Sequence, residues 1–128
     1  MAIEVRMVDD IMHVRLHGAL TSEDLLVLGN EVLAIEHAMA VPPSRITDMT
    51  GLESLQIAFP EIHALAERRR TMPLAAPIKS AIVAGTDVQY GMARMYQTLN
   101  DHPEITLEIF RDRAAALEWL ARSDARIK

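Results

Sequence analysis

Two groups of side chains in this sequence combine residue types that can bind or activate a ligand. Asp48-Met49-Thr50-Gly51 sets a carboxylate, a hydroxyl and a glycine after a short apolar run. In open sheets the carboxyl end of a parallel strand is where ligands settle, although Asp-x-Thr-Gly is also ordinary turn chemistry. Tyr90, Arg94 and Gln97 follow at spacings of four and three, which aligns a phenol, a guanidinium and an amide along one edge of a helix. A phosphate or carboxylate, on a small molecule or on a protein, would dock on such an edge. Asp48, Thr50, Gly51, Tyr90, Arg94 and Gln97 are therefore the expected ligand- or partner-binding residues.

The other polar clusters have plainer explanations. His13 and His17 share one face of a strand, but four residues along a strand span roughly 13 Å, too far for both rings to hold one metal ion. His63 and Glu67 stand one helical turn apart without the His-Glu-x-x-His pattern of a metal site, and read as a surface pair. His37 and His102 read as polar end residues. Arg68-Arg69-Arg70 would favour the dipole at the close of a helix, or grip a phosphate or an acidic partner. The sequence contains no Gly-x-Ser-x-Gly elbow and no glycine-rich phosphate loop. No catalytic residue, metal site or cofactor is assigned, and a non-enzymatic protein is expected.

Composition narrows the classes further. A chain of 128 residues, half of them hydrophobic, is expected to form one domain over residues 1–128 with its own core. Cysteine is absent, which excludes disulfides and thiolate chemistry and suits a reducing interior. The net charge of -5 opposes attraction to nucleic acid and to anionic lipid. Only Lys79 and Lys128 are lysines among the thirteen basic residues, so the cationic groups are almost all guanidinium. The N-terminus reaches a charge at Glu4 with no apolar h-region, and no apolar run is long enough to cross a bilayer. A cytoplasmic location without membrane insertion is expected.

These residues have to be positioned by alternating strands and helices. Ile3, Val5 and Met7, then Met12, Val14 and Leu16, alternate with polar residues around Asp9-Asp10, which predicts an antiparallel hairpin ending at Gly18. Thr21 and Asp24 make a capping pair, flanked by Leu20 and Leu25 as a staple, so a helix is expected from Ser22. Its stripe is Leu25, Leu28, Val32, Ile35 and Met39, which leaves Glu23, Asn30, Glu31 and Glu36 in solvent. A short strand is expected over Ser44 to Met49, with a turn at Thr50-Gly51 and then Leu52 to Ala58 as a loop or irregular edge. Pro60 suits the first position of a second helix that carries Ile62, Leu65, Ala66 and Met72 and stops before Pro73. Ile78 to Ala84 reads as a strand covered on both faces. Val88, Met92, Met95 and Leu99 mark a third helix; Gly91 within it implies close packing on a neighbouring strand or the approach of a partner. Ile105, Leu107 and Ile109 form the last strand, and Asp112 caps a helix through Leu120. The expected class is α/β, order ββαβαβαβα, with a mixed five-stranded sheet. The apolar hairpin edge also allows a homodimer.

Tyr90-Gly91-Met92-Ala93-Arg94-Met95, Phe110-Arg111-Asp112, Ala116-Leu117-Glu118-Trp119-Leu120 and Gly18-Ala19-Leu20-Thr21-Ser22-Glu23-Asp24, with Asp48, resemble the SpoIIAA-like branch of the STAS fold. That branch is largely uncharacterised and bacterial. The resemblance implies the fold of anti-sigma factor antagonists, in which a Ser or Thr at the start of the second helix is phosphorylated by a partner kinase. In this chain Gln56-Ile57-Ala58 stand there and Ser54 is the nearest hydroxyl, so the phosphoswitch is not implied. A regulatory or protein-interaction module of the STAS type is the leading expectation, its protein partner unnamed. The broad grouping also takes in Sec14-type lipid exchange proteins. The alternative is accordingly a carrier or sensor of a small apolar or anionic ligand.

Overall fold

The computed structural model describes residues 2–122; Lys128 lies outside them. Strand β1 (Ile3–Val8) turns through Asp9 and Asp10, whose φ angles of 51° and 64° are both left-handed, into β2 (Ile11–Thr21). A two-residue loop with both φ values positive matches the right-handed twist of an antiparallel pair, and Asp is among the side chains that tolerate it. There follow α1 (Ser22–Ala38), β3 (Ser44–Gln56), α2 (Phe59–Arg70), β4 (Ile78–Val83), α3 (Asp87–Leu99), β5 (Ile105–Phe110) and α4 (Arg113–Ala121). The sheet order is β1-β2-β3-β4-β5, with the first pair antiparallel and the other three parallel. The expected mixed five-stranded α/β arrangement is the one found.

Caps place the helices. Thr21 Oγ1 accepts from Asp24 N at 3.2 Å while Asp24 Oδ2 accepts from Thr21 N at 3.0 Å, so α1 starts at Ser22 as the capping pair predicts. Thr86 Oγ1 accepts from Gln89 N at 3.1 Å, and Gln89 Oε1 returns to Gly85 N at 2.9 Å. Asp112 Oδ1 takes Ala115 N at 2.8 Å at the head of α4. Each such cap is worth about 1 kcal/mol.

Three helices share one face of the sheet. Met12, Val14, Leu16 and Leu20 of β2, Val32 of α1, Met49 of β3, Ile82 of β4 and Ala93 of α3 form the larger core. On the other face α4 stands alone, with Ala116 against Ile46, Ala81 and Val83. Every residue of β4 is buried, as a strand between two helical layers requires. Lys79 stays in this setting by donating from Nζ to Trp119 O and Arg122 O, both at 2.8 Å, at the carbonyl end of α4.

Several local expectations are corrected. Gly18 does not end β2; it sits in the strand at φ 71°, where the register with β3 shifts between Gly18 and Ala19. Thr50-Gly51 is not a turn, because β3 continues to Gln56 beside the irregular half of β2; of the two readings for Leu52 to Ala58, the irregular edge is the one found as far as Gln56. A Cβ on Gly51 would lie 3.0 Å from Leu16 O, so glycine here serves close strand contact. Helix α2 begins at Phe59, which makes Pro60 its second residue, and it ends at Arg70, before Met72. Val88 is 69 % exposed, and Gln89 takes the buried place through its cap to Gly85. Gly91 is exposed with open space where its Cβ would be, so sheet packing does not explain it. His102 is buried, its Nε2 2.7 Å from Met72 O and its Nδ1 accepting from Glu104 N at 3.0 Å. Glu36, expected in solvent, is 7 % exposed.

Candidate functional site

A cavity of about 160 Å³ lies between the sheet and helices α1, α2 and α3. Its walls follow from the periodicities that build the elements. Strand β2 contributes Val14, Leu16 and Leu20 from its inward face, and α1 contributes Leu25, Leu28 and Val32 from its stripe. Leu55 of β3, with Ile57 just beyond the strand, and Ile62 and Leu65 of α2 close another side, and Met92 and Ala93 of α3 complete it. Helices α1 and α2 are joined by side chains at successive levels. Ser22 Oγ donates to Glu61 near both N-termini, and Arg68 Nη2 donates to Asn30 Oδ1 at 2.9 Å further along.

The third link is charged and buried. Arg69 Nη1 and Nη2 donate to the two carboxylate oxygens of Glu36 at 2.8 and 2.6 Å, a fork-to-fork pair. Arg45 approaches the same carboxylate, with Nη1 3.5 Å from Glu36 Oε2. All three residues are at most 8 % exposed, and Arg45 and Arg69 line the cavity. Among the described residues Arg45 Nη1 and Arg69 Nε find no hydrogen-bond partner. Two guanidinium groups thus face one carboxylate, already held at both oxygens. Desolvation, with Arg69 beside it, holds the Arg45 guanidinium below its ordinary pKa. Burial likewise pushes the Tyr96 phenol up, within electrostatic reach of Arg45, Arg69 and Glu36. Thr47, Ser80 and Tyr96 bring hydroxyls to the same cavity wall. An apolar chamber with an under-compensated cation can bind an anion that carries an apolar body.

Sequence reasoning missed this cluster, although a signal was present. Arg69 continues the Ile62, Ala66 stripe at helical spacing, Glu36 lies four residues after Val32, and Arg45 alternates with Thr47 and Met49. Each is a charged residue written into an apolar pattern. The arginine run was read as cations at a helix end, whereas its members diverge: Arg68 meets Asn30, Arg69 meets Glu36 and Arg70 meets Glu67.

The six residues expected to bind a ligand or partner line other surfaces; none belongs to the cavity wall. Asp48, the last β3 residue paired with β4, accepts from Thr50 N at 2.9 Å and Thr50 Oγ1 at 2.6 Å. Its second oxygen takes Arg113 Nη1 at 3.3 Å, and Arg113 Nη2 donates to His13 Nδ1 at 2.8 Å. Gly51 lies against β2, and Thr50 reaches Gly85, whose Cβ would sit 3.3 Å from its methyl. Tyr90 stacks beneath the Arg111 guanidinium at 4.4 Å, and Arg111 pairs with Asp87 at 3.1 Å. Arg94 donates to Gln97 Oε1 at 3.1 Å, and Gln97 Nε2 donates to Leu107 O at 2.8 Å on the outer edge of β5. Asp48, Thr50 and Gly51 are brought together, as are Arg94 and Gln97, while Tyr90 has separate partners. Among the described residues no three His, Asp or Glu side chains gather as metal ligands would.

No protein-family model matches the sequence, and no curated protein matches it. Solved structures do. An uncharacterized protein of the DUF3478 family with a SpoIIAA-like fold, from Shewanella loihica, is 20 % identical with a TM-score of 0.61, the match covering 94 % of this chain and 93 % of that one. An anti-sigma factor antagonist from Mycobacterium paratuberculosis is 13 % identical with a TM-score of 0.58 over the same shares of the two chains. Both likenesses run through nearly the whole chain, and they establish the fold.

Proposed function

We propose that this chain, SpoIIAA-like in fold, is a non-enzymatic binding module that carries or senses a small ligand in the cavity beneath α1, α2 and α3. The observation that supports the reading is the cavity itself. Well-packed interiors keep few voids larger than a water molecule. The hollow of about 160 Å³ is partly open to solvent, and its lining is almost entirely apolar. Such a hollow leaves in contact with water the apolar surface that a guest would cover, which favours a guest. A cysteine-free chain suits the reducing cytoplasm, where the reading places it. Native mass spectrometry of freshly purified protein should show a species heavier than the bare chain, and added toluene should shift the amide signals of cavity-lining residues. A bare mass combined with unmoved signals defeats the reading.

A second reading, regulation through docking on another protein, is favoured by two exposed apolar side chains. Phe59 is 53 % exposed and Val88 69 % exposed, in the first turns of the helices that follow β3 and β4. Asp48, Thr50, Gly51, Tyr90, Arg94 and Gln97 would then serve the partner. Likeness to an anti-sigma factor antagonist is consistent with it. If Val88→Glu and Arg94→Glu leave a co-purifying protein fully bound, this second reading fails.

A further inference from the structure

We infer that the cavity takes a small organic monocarboxylate, its carboxylate seated on Arg45 and its apolar body lying between β2 and α1. The inference rests on the ligand-binding reading above and adds the chemical class. Arg69 uses both oxygens of Glu36, which leaves Arg45 one ionic contact at 3.5 Å and, among the described residues, no side-chain hydrogen bond. A guanidinium does not escape burial by losing its proton, so the remaining remedy is a counter-anion. Among the buried groups the excess is one positive charge, which a carboxylate balances; Arg68, the third guanidinium on the lining, is exposed and donates to Asn30 Oδ1. A carboxylate also matches the planar fork with two parallel hydrogen bonds. Ser80 stands opposite Arg45 in the β3–β4 register and Thr47 lies two residues along the same face of β3, so both hydroxyls are placed to donate to the remaining lone pairs.

Size narrows the class. A dry engineered cavity of roughly 150 Å³ holds benzene. The cavity here is about 160 Å³, which accommodates about six carbon atoms in all, the carboxyl carbon included. Hexanoate fits this description, whereas the tail of a long-chain fatty acid would have to leave through the open side of the cavity.

The test compares hexanoate with hexanol, the same body without the charge, titrated into the full chain by calorimetry and amide chemical shifts. Hexanoate should bind at least about tenfold more tightly than hexanol, since a charge-assisted pair exceeds a neutral contact by that margin. In Arg45→Met the preference should vanish while hexanol affinity stays within about threefold; Arg45→Lys, which keeps the charge and loses the fork, should keep part of it. Equal binding of the two probes to the unaltered protein overturns the carboxylate assignment and leaves the ligand-binding reading standing. Binding of neither overturns both. Palmitate binding tenfold more tightly than hexanoate overturns the size limit.

Discussion

Glu36→Gln tests the buried charge cluster most directly. The carboxylate sits 2.8 and 2.6 Å from Arg69 and 3.5 Å from Arg45, and is itself buried. With an effective dielectric near 20, an ion contact of about 3 Å is worth roughly 5 kcal/mol, and desolvation offsets much of it. The decisive term is what the substitution leaves behind. Glutamine keeps one acceptor for Arg69 but strands two guanidinium charges without an anion, which costs about 3–5 kcal/mol. For a domain of this size that lowers Tm by roughly 10–20 °C. Arg45→Met should behave in the opposite way, falling within about 1 kcal/mol of the parent or above it, because it removes a buried cation that, among the described residues, donates no hydrogen bond. Adding Arg69→Met to Glu36→Gln should recover part of the loss. Urea unfolding followed by circular dichroism measures all four proteins. A loss below about 1 kcal/mol for Glu36→Gln, or a loss above about 2 kcal/mol for Arg45→Met, would refute the reasoning.

Three further outcomes follow from single positions. Gly91→Ala should stabilise the chain by about 0.5–1 kcal/mol, since the residue is inside α3 with nothing near its Cβ; a loss in thermal denaturation would reveal an unseen neighbour. Gly51→Ala should cost about 1–3 kcal/mol by pressing on Leu16 O, and an unchanged unfolding midpoint would count against the continuous β3 strand. Burial first, then Arg113 and Arg6, holds the His13 imidazole below its ordinary pKa. The unfolded chain therefore binds this proton more readily, so the stability His13 contributes is complete above about pH 6.5 and is lost as pH falls from there toward the folded value. Titration by NMR should find His13 below about 6.5, and a midpoint at or above it contradicts the assigned surroundings.

The sheet and its helices were legible because each element carries its own period and stop signal. Thr21 with Asp24, and Asp112 before Ala115, announce helix starts through side chains that satisfy the first free amides. Strand β3 was misread at Gly51 because its glycine answers to Leu16 and His17, which lie more than thirty residues earlier in the chain. Val88 and Gln89 exchanged roles for a similar reason, since a cap to Gly85 outweighed hydropathy. The charged cluster stayed hidden because solvent is the default for Glu and Arg. Its members come from α1, β3 and α2, and only the assembled layers bring both arginines within 4 Å of Glu36.

The hydrogen bond from Gln97 to Leu107 O has a consequence for assembly. It occupies an outward-facing acceptor on β5, so a strand arriving from another molecule meets a blocked site at that border of the sheet. At the opposite border β1 is the edge strand, with Met7 and Val8 exposed. Antiparallel pairing of two such strands about Val5 would set Glu4 of one molecule against Arg6 of the other. Growth by strand addition would stop at that first union, since both outer borders of the joined sheet would be β5, giving a two-fold pair instead of a fibril.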